Sequence, residues 1–469
     1  MAATTAALTE PRSRATVKQR WLYSIANLGN TLMGQTVGAY MLFYYVDVKK
    51  LPAAWYGTAL LFYSVYDALN NPVLGYVSDR TKSRWGRRIP YIMFGAVPYA
   101  VLFALLFMAP FDGRQQPVAL LIYFLIVAFL WEGVSTAVGT GYYSLLPEMF
   151  SSYSDRTAVA VSMNIVQTVG LLVAFAVPPL LYGSEALEPY GWHVMAIAFA
   201  LVTVIVFFIG LRGMFERKET VQAASVPLGP ALKATFANRS FVTVVLAQTF
   251  RFVGTNALVA GTALYTKYSL QVDESVTSAI LAVAFVTAAA ALWFWRRFVA
   301  QRFEARTTLI LANAVMAVSV LPLALAKSAT GAIIGAAGLG IGLAGLILMG
   351  DVIVADVIDE DEVKTGQRRE GMYFGMSKFI MTFSTTIVGG IFLLITAVFG
   401  YDETLSVAEQ LPTVGPGFRV FMAAPVIVGS ILAIISLLFY PLHGERLRQV
   451  KATLAERHPP TGDEVGPAL

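Results

Sequence analysis

Long apolar stretches alternate with short polar ones along nearly the whole chain. A helix needs about 20 apolar residues to cross a bilayer, and twelve stretches reach that length. Their approximate cores are 21–46, 54–77, 89–109, 117–146, 158–182, 191–211, 240–266, 275–295, 307–326, 330–354, 371–399 and 420–441. The pattern therefore predicts an all-α membrane protein with twelve transmembrane helices.

The longest internal polar segment divides these helices six and six. It carries Pro227 and Pro230, which is typical of a linker. Two halves of equal size predict a pseudo-symmetric transporter, in which the substrate site lies between the halves. The predicted organisation is a cytoplasmic N-terminus at 1–20, a six-helix bundle at 21–211, a cytoplasmic linker at 212–239, a second six-helix bundle at 240–442 and a cytoplasmic tail at 443–469.

The distribution of Lys and Arg predicts the orientation. The chain has 34 Lys and Arg residues, of which 26 lie in the N-terminus, in the loops after even-numbered helices and in the C-terminal tail. Six lie in loops after odd-numbered helices, and Arg251 and Lys378 lie within predicted helices. Because translocated loops are poor in Lys and Arg, both termini are predicted to be cytoplasmic. We expect a multi-pass protein of the plasma (inner) membrane.

Composition agrees with a membrane location and excludes several kinds of site. Apolar residues make up 57% of the chain and charged residues 13%, and the charged fraction is about half the usual one. The absence of Cys excludes disulfides and cysteine nucleophiles, and three His disfavour a histidine metal cage. No nucleotide-binding loop or nucleophile motif is found. We therefore predict no enzyme, no cofactor and no metal, and the net charge of +5 reflects topology more than nucleic-acid binding.

The loop after the second helix carries an ordered motif. It reads Gly-x3-Asp-Arg-x5-Gly-Arg-Arg from Gly75 to Arg88, and it resembles the signature loop of the major facilitator superfamily. A narrower resemblance, to the glycoside/pentoside/hexuronide:cation symporter family, is carried by 66–72, 83–90, 144–147, 155–157, 355–364 and 369–371. The resemblance implies the major facilitator fold, alternating access and cation-coupled symport of a sugar or glycoside.

The resemblance also implies a cation site on the first, second and fourth helices, where the family uses acidic residues. Asp67 retains one of these acids, whereas Asn27 and Asn71 stand where two others would be. A sodium ion prefers several hard oxygen ligands, whereas a proton needs one group of suitable pKa. We therefore predict coupling to H+ in preference to Na+, with Asp67 as the first proton acceptor and Glu132 as the second.

Polar and small residues form stripes at helical spacing, which indicates a water-accessible cavity. Helix packing through small and amide residues is the alternative. Two cations lie within predicted helices and could bind an anionic group of the cargo or neutralise the acids, although one of them, Lys378, is close enough to the surface to snorkel. The predicted cavity residues are Asn30, Gln35, Tyr63, Tyr66, Asn70, Tyr142, Tyr143, Asn164, Gln167, Arg251, Asn256, Lys378 and Thr382.

Opposite charges on loops of the two halves predict a cytoplasmic gate. Segment 356–370 has six acids and segment 78–89 has five bases, so we expect the two to pair when the carrier faces outward. Exposed pairs are weak, about 0 to 1 kcal/mol each, which suits a gate that must reopen. Solvated loops without such a role are the alternative. The predicted gate residues are Asp79, Arg80, Arg84, Arg87, Arg88, Glu148, Arg156, Asp356, Asp359 and Arg369.

The sequence thus predicts a secondary transporter, expected to be a monomer that binds a small-molecule substrate within the lipid bilayer and no nucleic acid. A sugar or glycoside is the first expectation for the cargo. One alternative is a carrier of a lysolipid or another amphipathic anion. Another is an uncoupled facilitator or a non-transporting sensor with the same fold, which saturable uphill uptake would exclude.

Overall fold

The computed structural model describes residues 16–81, 83–150, 153–183, 190–216, 236–366 and 370–457. Those residues are largely helical. The first six helices are α1 (Val17–Leu42), α2 (Ala53–Arg80), α3 (Ile89–Leu106), α4 (Pro117–Met149), α5 (Tyr153–Tyr182) and α6 (Gly191–Leu211). The remaining helices are α7 (Arg239–Leu264), α8 (Ser275–Phe294), α9 (Ala305–Leu325), α10 (Ala329–Thr365), α11 (Glu370–Phe399), α12 (Val414–Leu438) and α13 (Glu445–Arg457).

Three helices continue in a wider π-helical turn, and one loop contains a short 3-10 turn. The π-helical segments extend α1, α7 and α8, and they are Phe43–Val48, Tyr265–Leu270 and Trp295–Val299. The 3-10 turn, Val407–Glu409, lies between α11 and α12. Two of these segments, Phe43–Val48 and Tyr265–Leu270, carry residues of the far-side cluster described below.

The prediction of an all-α membrane fold is confirmed. Ten helices of the described chain are long and apolar enough to cross a membrane. The first two helices have 26 and 28 residues, which is sufficient length, but their polar side chains lower their hydropathy. α1 packs on α5 and α6 and touches α7. Its polar residues, such as the buried Asn27 and Thr31, therefore lie against protein.

The described residues form two apolar cores, the first mainly in the first half but reaching into the second, and the other within the second half. The first core includes Tyr23 of α1 and Phe103 of α3, and the second includes Trp295 and Met316 from the end of α8 and from α9. Within the halves, large packing interfaces join α1 to α5, α7 to α12, α9 to α10 and α8 to α10. Phe392 of α11 joins the first core, so the two halves touch there.

We call the end of the bundle that holds Val17 and Leu438 the near side, and the opposite end the far side. The following contacts between the halves lie in the far-side part of the bundle. Gly57 of α2 meets Leu393 of α11, because a Cβ added to Gly57 would lie 2.4 Å from Cδ1 of Leu393. The rings of Phe175 in α5 and Phe285 in α8 stack with their centroids 4.8 Å apart.

α10 is longer than the sequence predicted. The expected core ended at 354, whereas the helix continues to Thr365 and ends at Gly366, whose φ of +71° is left-handed. The expected loop after this helix is thus helical as far as Thr365. The predicted tail contains the additional helix α13, and residues 217–235 of the predicted linker lie outside the described part of the chain.

Candidate functional site

Two acidic side chains meet inside the first half. Asp67 of α2 and Glu132 of α4 are in side-chain hydrogen-bond contact. Glu132 also accepts hydrogen bonds from the hydroxyl of Tyr63 and, at 3.0 Å, from that of Thr136. Two ionised carboxylates repel at contact range, whereas a proton held between them forms a hydrogen bond. This carboxyl pair is therefore chemically suited to bind one proton.

Helical periodicity places Asp67 on the same face of α2 as two of its polar neighbours. Tyr63, Asp67 and Asn70 lie three to four residues apart and therefore share one face of α2. Asp67 is about 20 Å along a helix of roughly 42 Å, so it sits near mid-membrane depth. Next to the pair, the ring of Tyr66 stacks on that of Phe129 with a centroid separation of 4.9 Å. The carboxyl pair consequently has an aromatic wall.

An open cleft lies beside α1. Gly34 and Gly38 of α1, and Gly139 of α4, each have open space where a Cβ would be. Other sides of α1 are covered by α5, α6 and α7, so the open side faces the space between the halves. At its near-side end, Asn27 is buried and its Oδ1 accepts a hydrogen bond of 3.1 Å from the hydroxyl of Tyr143.

The second half contributes an arginine at similar depth. Nη2 of Arg251 in α7 donates to Oε1 of Gln248 at 2.6 Å, and Nε2 of Gln248 donates to the carbonyl of Gly350 in α10 at 2.7 Å. Asp351 of α10 attracts the guanidinium electrostatically. The buried Nε of Arg251 has no hydrogen-bond acceptor among the described residues. Arg251 therefore has a carboxylate nearby, and its Nε–H remains available to a ligand.

Two further predicted residues face the cleft by their helical position. Gly389 of α11 meets Leu60 of α2, and Lys378 lies 11 residues earlier, about 20° around the helix and about 16 Å toward the near side. Asn164 likewise lies 11 residues before Phe175 and therefore on nearly the same face of α5. Phe175 is the residue of α5 whose ring stacks on α8. Both side chains are exposed, and both point across the space between the halves on its near-side part.

The other predicted cavity residues differ in burial. Tyr142 is fully buried: its ring stacks on Tyr23 at 4.6 Å and its hydroxyl donates to the Tyr23 carbonyl at 3.0 Å, so it does not line the cleft. Nδ2 of Asn30 is buried without an acceptor among the described residues, and Nδ2 of Asn256 donates to Oγ of Ser384 at 3.2 Å. Gln35, Tyr63, Tyr66, Asn70 and Thr382 are half-buried, and Tyr143 and Gln167 are exposed. The Asn71 side chain lies outside the described residues.

The near-side loop after α2 binds the carboxylate of Glu216, a residue of the same half. Glu216, just after α6, accepts hydrogen bonds of 2.7 to 2.8 Å from the backbone N–H groups of Arg87, Arg88 and Ile89. Gly86 has a φ of +104°, and a Cβ there would lie 2.4 Å from the carboxyl carbon of Glu216. The glycine of the motif therefore lets the loop wrap an anion at the start of α3.

The acids of α10 also have partners in their own half. Oε1 of the buried Glu360 lies 2.5 Å from Nη2 of Arg446, and Oδ1 of the buried Asp356 lies 3.2 Å from Nζ of Lys451. Both cations belong to α13. Sequence reasoning had assigned Asp356 and Asp359 to a gate with the first half, but in this conformation α13 neutralises Asp356.

The remaining gate residues are placed as follows. The exposed Arg84 lies over the ring of Trp85, 4.0 Å from its centroid. The side chains of Asp79, Arg80, Glu148, Arg156 and Arg369 lie outside the described residues. Pairing between the halves on the near side therefore remains a prediction.

Removing both α13 cations should destabilise the near side of the second half. In the R446Q/K451Q variant, Glu360 and Asp356 would remain buried without these partners. A charged hydrogen bond contributes about 1.5 to 3 kcal/mol, and because both cations are about half exposed we expect a total loss near the lower value. Thermal unfolding of the purified protein measures it. Arg448→Gln is the matched control, since Arg448 is 76% exposed, and equal melting temperatures for the two variants would contradict the prediction.

A far-side cluster joins the halves. Asp47, in the π-helical end of α1, has a fully buried side chain whose Oδ2 lies 2.5 Å from Nζ of Lys267 after α7. The hydroxyl of Tyr268 donates to Oδ1 of Asp47, and that of Tyr401 does so at 3.1 Å. Lys50 lies 3.9 Å away; burial lowers its pKa, and attraction to Asp47 opposes that shift. The contacts of this cluster connect the end of α1 to the segments that follow α7 and α11.

Sequence reasoning missed four polar residues that organise these contacts. Glu216, Gln248 and Asp47 had no motif to mark them, and Asp47 stands one residue beyond a predicted helix core. Asp351 was detectable, because it lies within the predicted core 330–354, but it was not among the predicted residues.

Comparison with known proteins relates most of the chain to sugar carriers. The profile of the family described as "MFS/sugar transport protein" matches residues 22–444. The chain is 28% identical over 431 residues to the isoprimeverose transporter of Lactiplantibacillus pentosus, covering 90% of this chain and 88% of that protein. It is 24% identical over 448 residues to the glucuronide carrier protein homolog of Escherichia coli (strain K12), covering 93% and 94%.

A solved structure agrees on the fold. A bacterial homologue of the human lysosomal transporter Spinster, in an inward-facing and unoccupied conformation, superposes with a TM-score of 0.65 at 13% identity, covering 95% of this chain and 100% of that chain. The resemblance read from the sequence motifs is thus confirmed along the chain and in its fold. The chain belongs to the MFS/sugar transport protein family and is a multi-pass membrane transporter of the major facilitator superfamily.

Proposed function

We propose that this transporter couples the movement of a proton to the symport of a sugar or glycoside. The observation that carries the proposal is the contact between Asp67 and Glu132, because two acids that share one hydrogen bond require a proton between them. Proton uptake from one side and release to the other would then be linked to solute binding in the same cleft.

The cleft also suits a polyhydroxylated cargo. The amide of Asn164 and the hydroxyls of Tyr66 and Tyr143 supply donors and acceptors for sugar hydroxyls. Two relatives are named for isoprimeverose and for glucuronides, which supports a sugar-like solute. The spare donor of Arg251 and the cation of Lys378 would favour a cargo with an anionic group.

Alternating access would proceed from the conformation described here. The far-side cluster and the contacts of α2 with α11 close the far side, so the solute would exchange with the near side. Lys and Arg are concentrated in the near-side loops and termini, which supports a cytoplasmic location for the near side. Both termini would then be cytoplasmic as well. We expect the protein to act as a monomer in the inner membrane.

Proteoliposomes under imposed gradients test this function. A cargo is first chosen by thermal stabilisation of the purified protein with sugars, glycosides and organic acids. An inwardly directed proton gradient should then drive uphill uptake that a protonophore abolishes, whereas a sodium gradient at constant pH should drive none. Uptake that follows sodium alone would overturn proton coupling. Equilibration without accumulation under either gradient would instead indicate an uncoupled facilitator.

A further inference from the structure

A polar pocket of about 640 Å³ opens at the far side of the second half. It lies where α7 ends and α12 begins, away from the carboxyl pair and from Arg251. Its wall includes Tyr268, Ser269, Gln271, Leu411, Pro416 and Arg419. A pocket of this size can hold the head group of a lipid or a small soluble anion.

Arg419 supplies the charge of the pocket. Its Nε donates to Oγ of Ser269 at 3.3 Å, and its guanidinium lies 5.8 Å from the ring centroid of Tyr265. Neither partner is a carboxylate, and no acidic partner of Arg419 is recorded within the described ranges. Its two terminal nitrogens therefore remain available, and a guanidinium binds phosphate oxygens well.

An apolar groove of about 260 Å³ lies on the same helices. It runs between α11 and α12 over α7, and its wall includes Phe250, Ile387, Ile391, Val420, Ala424 and Val428. Val420 and Val428 are 40% and 54% exposed, so the groove opens outward. Its floor is a close approach of two helices, because a Cβ on Gly429 would lie 2.4 Å from the Phe250 carbonyl oxygen.

The pocket and the groove are adjacent along α12. Pro416 lines the pocket and Val420, four residues later, lines the groove, so they are neighbours on one helix face. From Val420 to Leu432, the groove follows α12 for about 18 Å. One leaflet of the hydrocarbon core is about 15 Å thick, which matches that length.

We propose that this pocket and groove form a binding site for an anionic phospholipid of the far-side leaflet. Arg419 binds the phosphate, the other polar groups of the pocket contact the head group, and one acyl chain lies in the groove along Ala424 and Val428. A soluble anion would use the pocket but leave the apolar groove without a function. Tyr268 lines the pocket and also donates to Asp47, so the bound lipid contacts the far-side cluster directly.

Native mass spectrometry and thermal unfolding of the full-length protein in detergent test the proposal. Phosphatidylglycerol, phosphatidylcholine and inorganic phosphate are titrated separately. We expect phosphatidylglycerol to be retained and to raise the melting temperature more than phosphatidylcholine does, and phosphate to have no comparable effect. Arg419→Gln should weaken the binding of phosphatidylglycerol about fivefold relative to phosphatidylcholine, and Arg419→Lys should restore most of the difference.

Two further variants separate the head-group pocket from the acyl groove. Ala424→Phe should fill the groove and reduce retention of both lipids, whereas Val318→Phe, on an exposed face of α9, should not. Lys327→Gln removes an exposed far-side cation outside the pocket and should preserve selectivity. The proposal is overturned if phosphate alone reproduces the stabilisation, if the two lipids bind equally, or if either Arg419→Gln or Ala424→Phe leaves lipid binding unchanged.

Discussion

Replacing either acid of the carboxyl pair should abolish proton-driven accumulation and leave solute exchange largely intact. Asp67→Asn and Glu132→Gln preserve the size of each side chain and its ability to form hydrogen bonds, but each removes one titratable group. No proton is then shared between two carboxylates, but the carrier can still bind solute and change conformation. In proteoliposomes we expect the accumulation ratio under a proton gradient to fall from well above one to about one, while counterflow exchange changes less than about tenfold.

The control for this prediction is an acid in the other half. Asp351→Asn removes a carboxylate close to Arg251 but outside the pair, so it should alter solute affinity without ending accumulation. If Asp67→Asn and Glu132→Gln both accumulate solute as the unmodified protein does, the pair is not the coupling site. If Asp351→Asn loses accumulation as completely as Asp67→Asn and Glu132→Gln do, proton coupling is not specific to the carboxyl pair.

Removing the Asp47 carboxylate should open the far side. In Asp47→Asn, Lys267 loses its anionic partner at a position where the aspartate side chain is fully buried and the lysine is 29% exposed. Breaking a buried pair can cost about 3 to 5 kcal/mol, and partial exposure of the lysine reduces this to about 1 to 3 kcal/mol. We therefore expect a shift of about 5- to 150-fold away from the conformation closed on the far side.

Cysteine labelling can measure that shift, because the chain contains no Cys. Gly38→Cys places a thiol in the open space beside α1, and Gly139→Cys does so beside α4. With a membrane-impermeant maleimide, Asp47→Asn should speed labelling of Gly38→Cys from the far side and slow labelling of Gly139→Cys from the near side. Lys50→Gln, which alters only the 3.9 Å contact, should have a smaller effect. Unchanged far-side labelling in Asp47→Asn would refute the role of the cluster.

The fold was predictable because its main determinant is local. Each stretch of about 20 apolar residues must satisfy its backbone hydrogen bonds within itself, so it becomes a helix wherever it lies in the bilayer. The least predictable boundaries were those of charged segments. α10 continues through the acids that follow residue 354, because α13 supplies cations that neutralise Asp356 and Glu360, and no local pattern reveals such a partner.

The candidate site was predictable in residue type but not in arrangement. Asp67 and Glu132 were recognisable because an acid within an apolar helix needs a specific reason, although their mutual contact depends on how α2 and α4 pack. Tyr142 was equally polar in sequence, yet it serves the packing of α1 against α4. The carboxylate that attracts Arg251, that of Asp351, likewise comes from α10, about 100 residues away in the chain.

By itself, the sequence determined the helical membrane fold, the division into halves and the family, since hydropathy and short motifs are properties of neighbouring residues. The tertiary structure alone decided which charges meet, which polar residues face the cleft and which side is closed. Those outcomes depend on contacts between helices far apart in the chain. In a low-dielectric interior, the identity of a charged group's partner determines what that group can do.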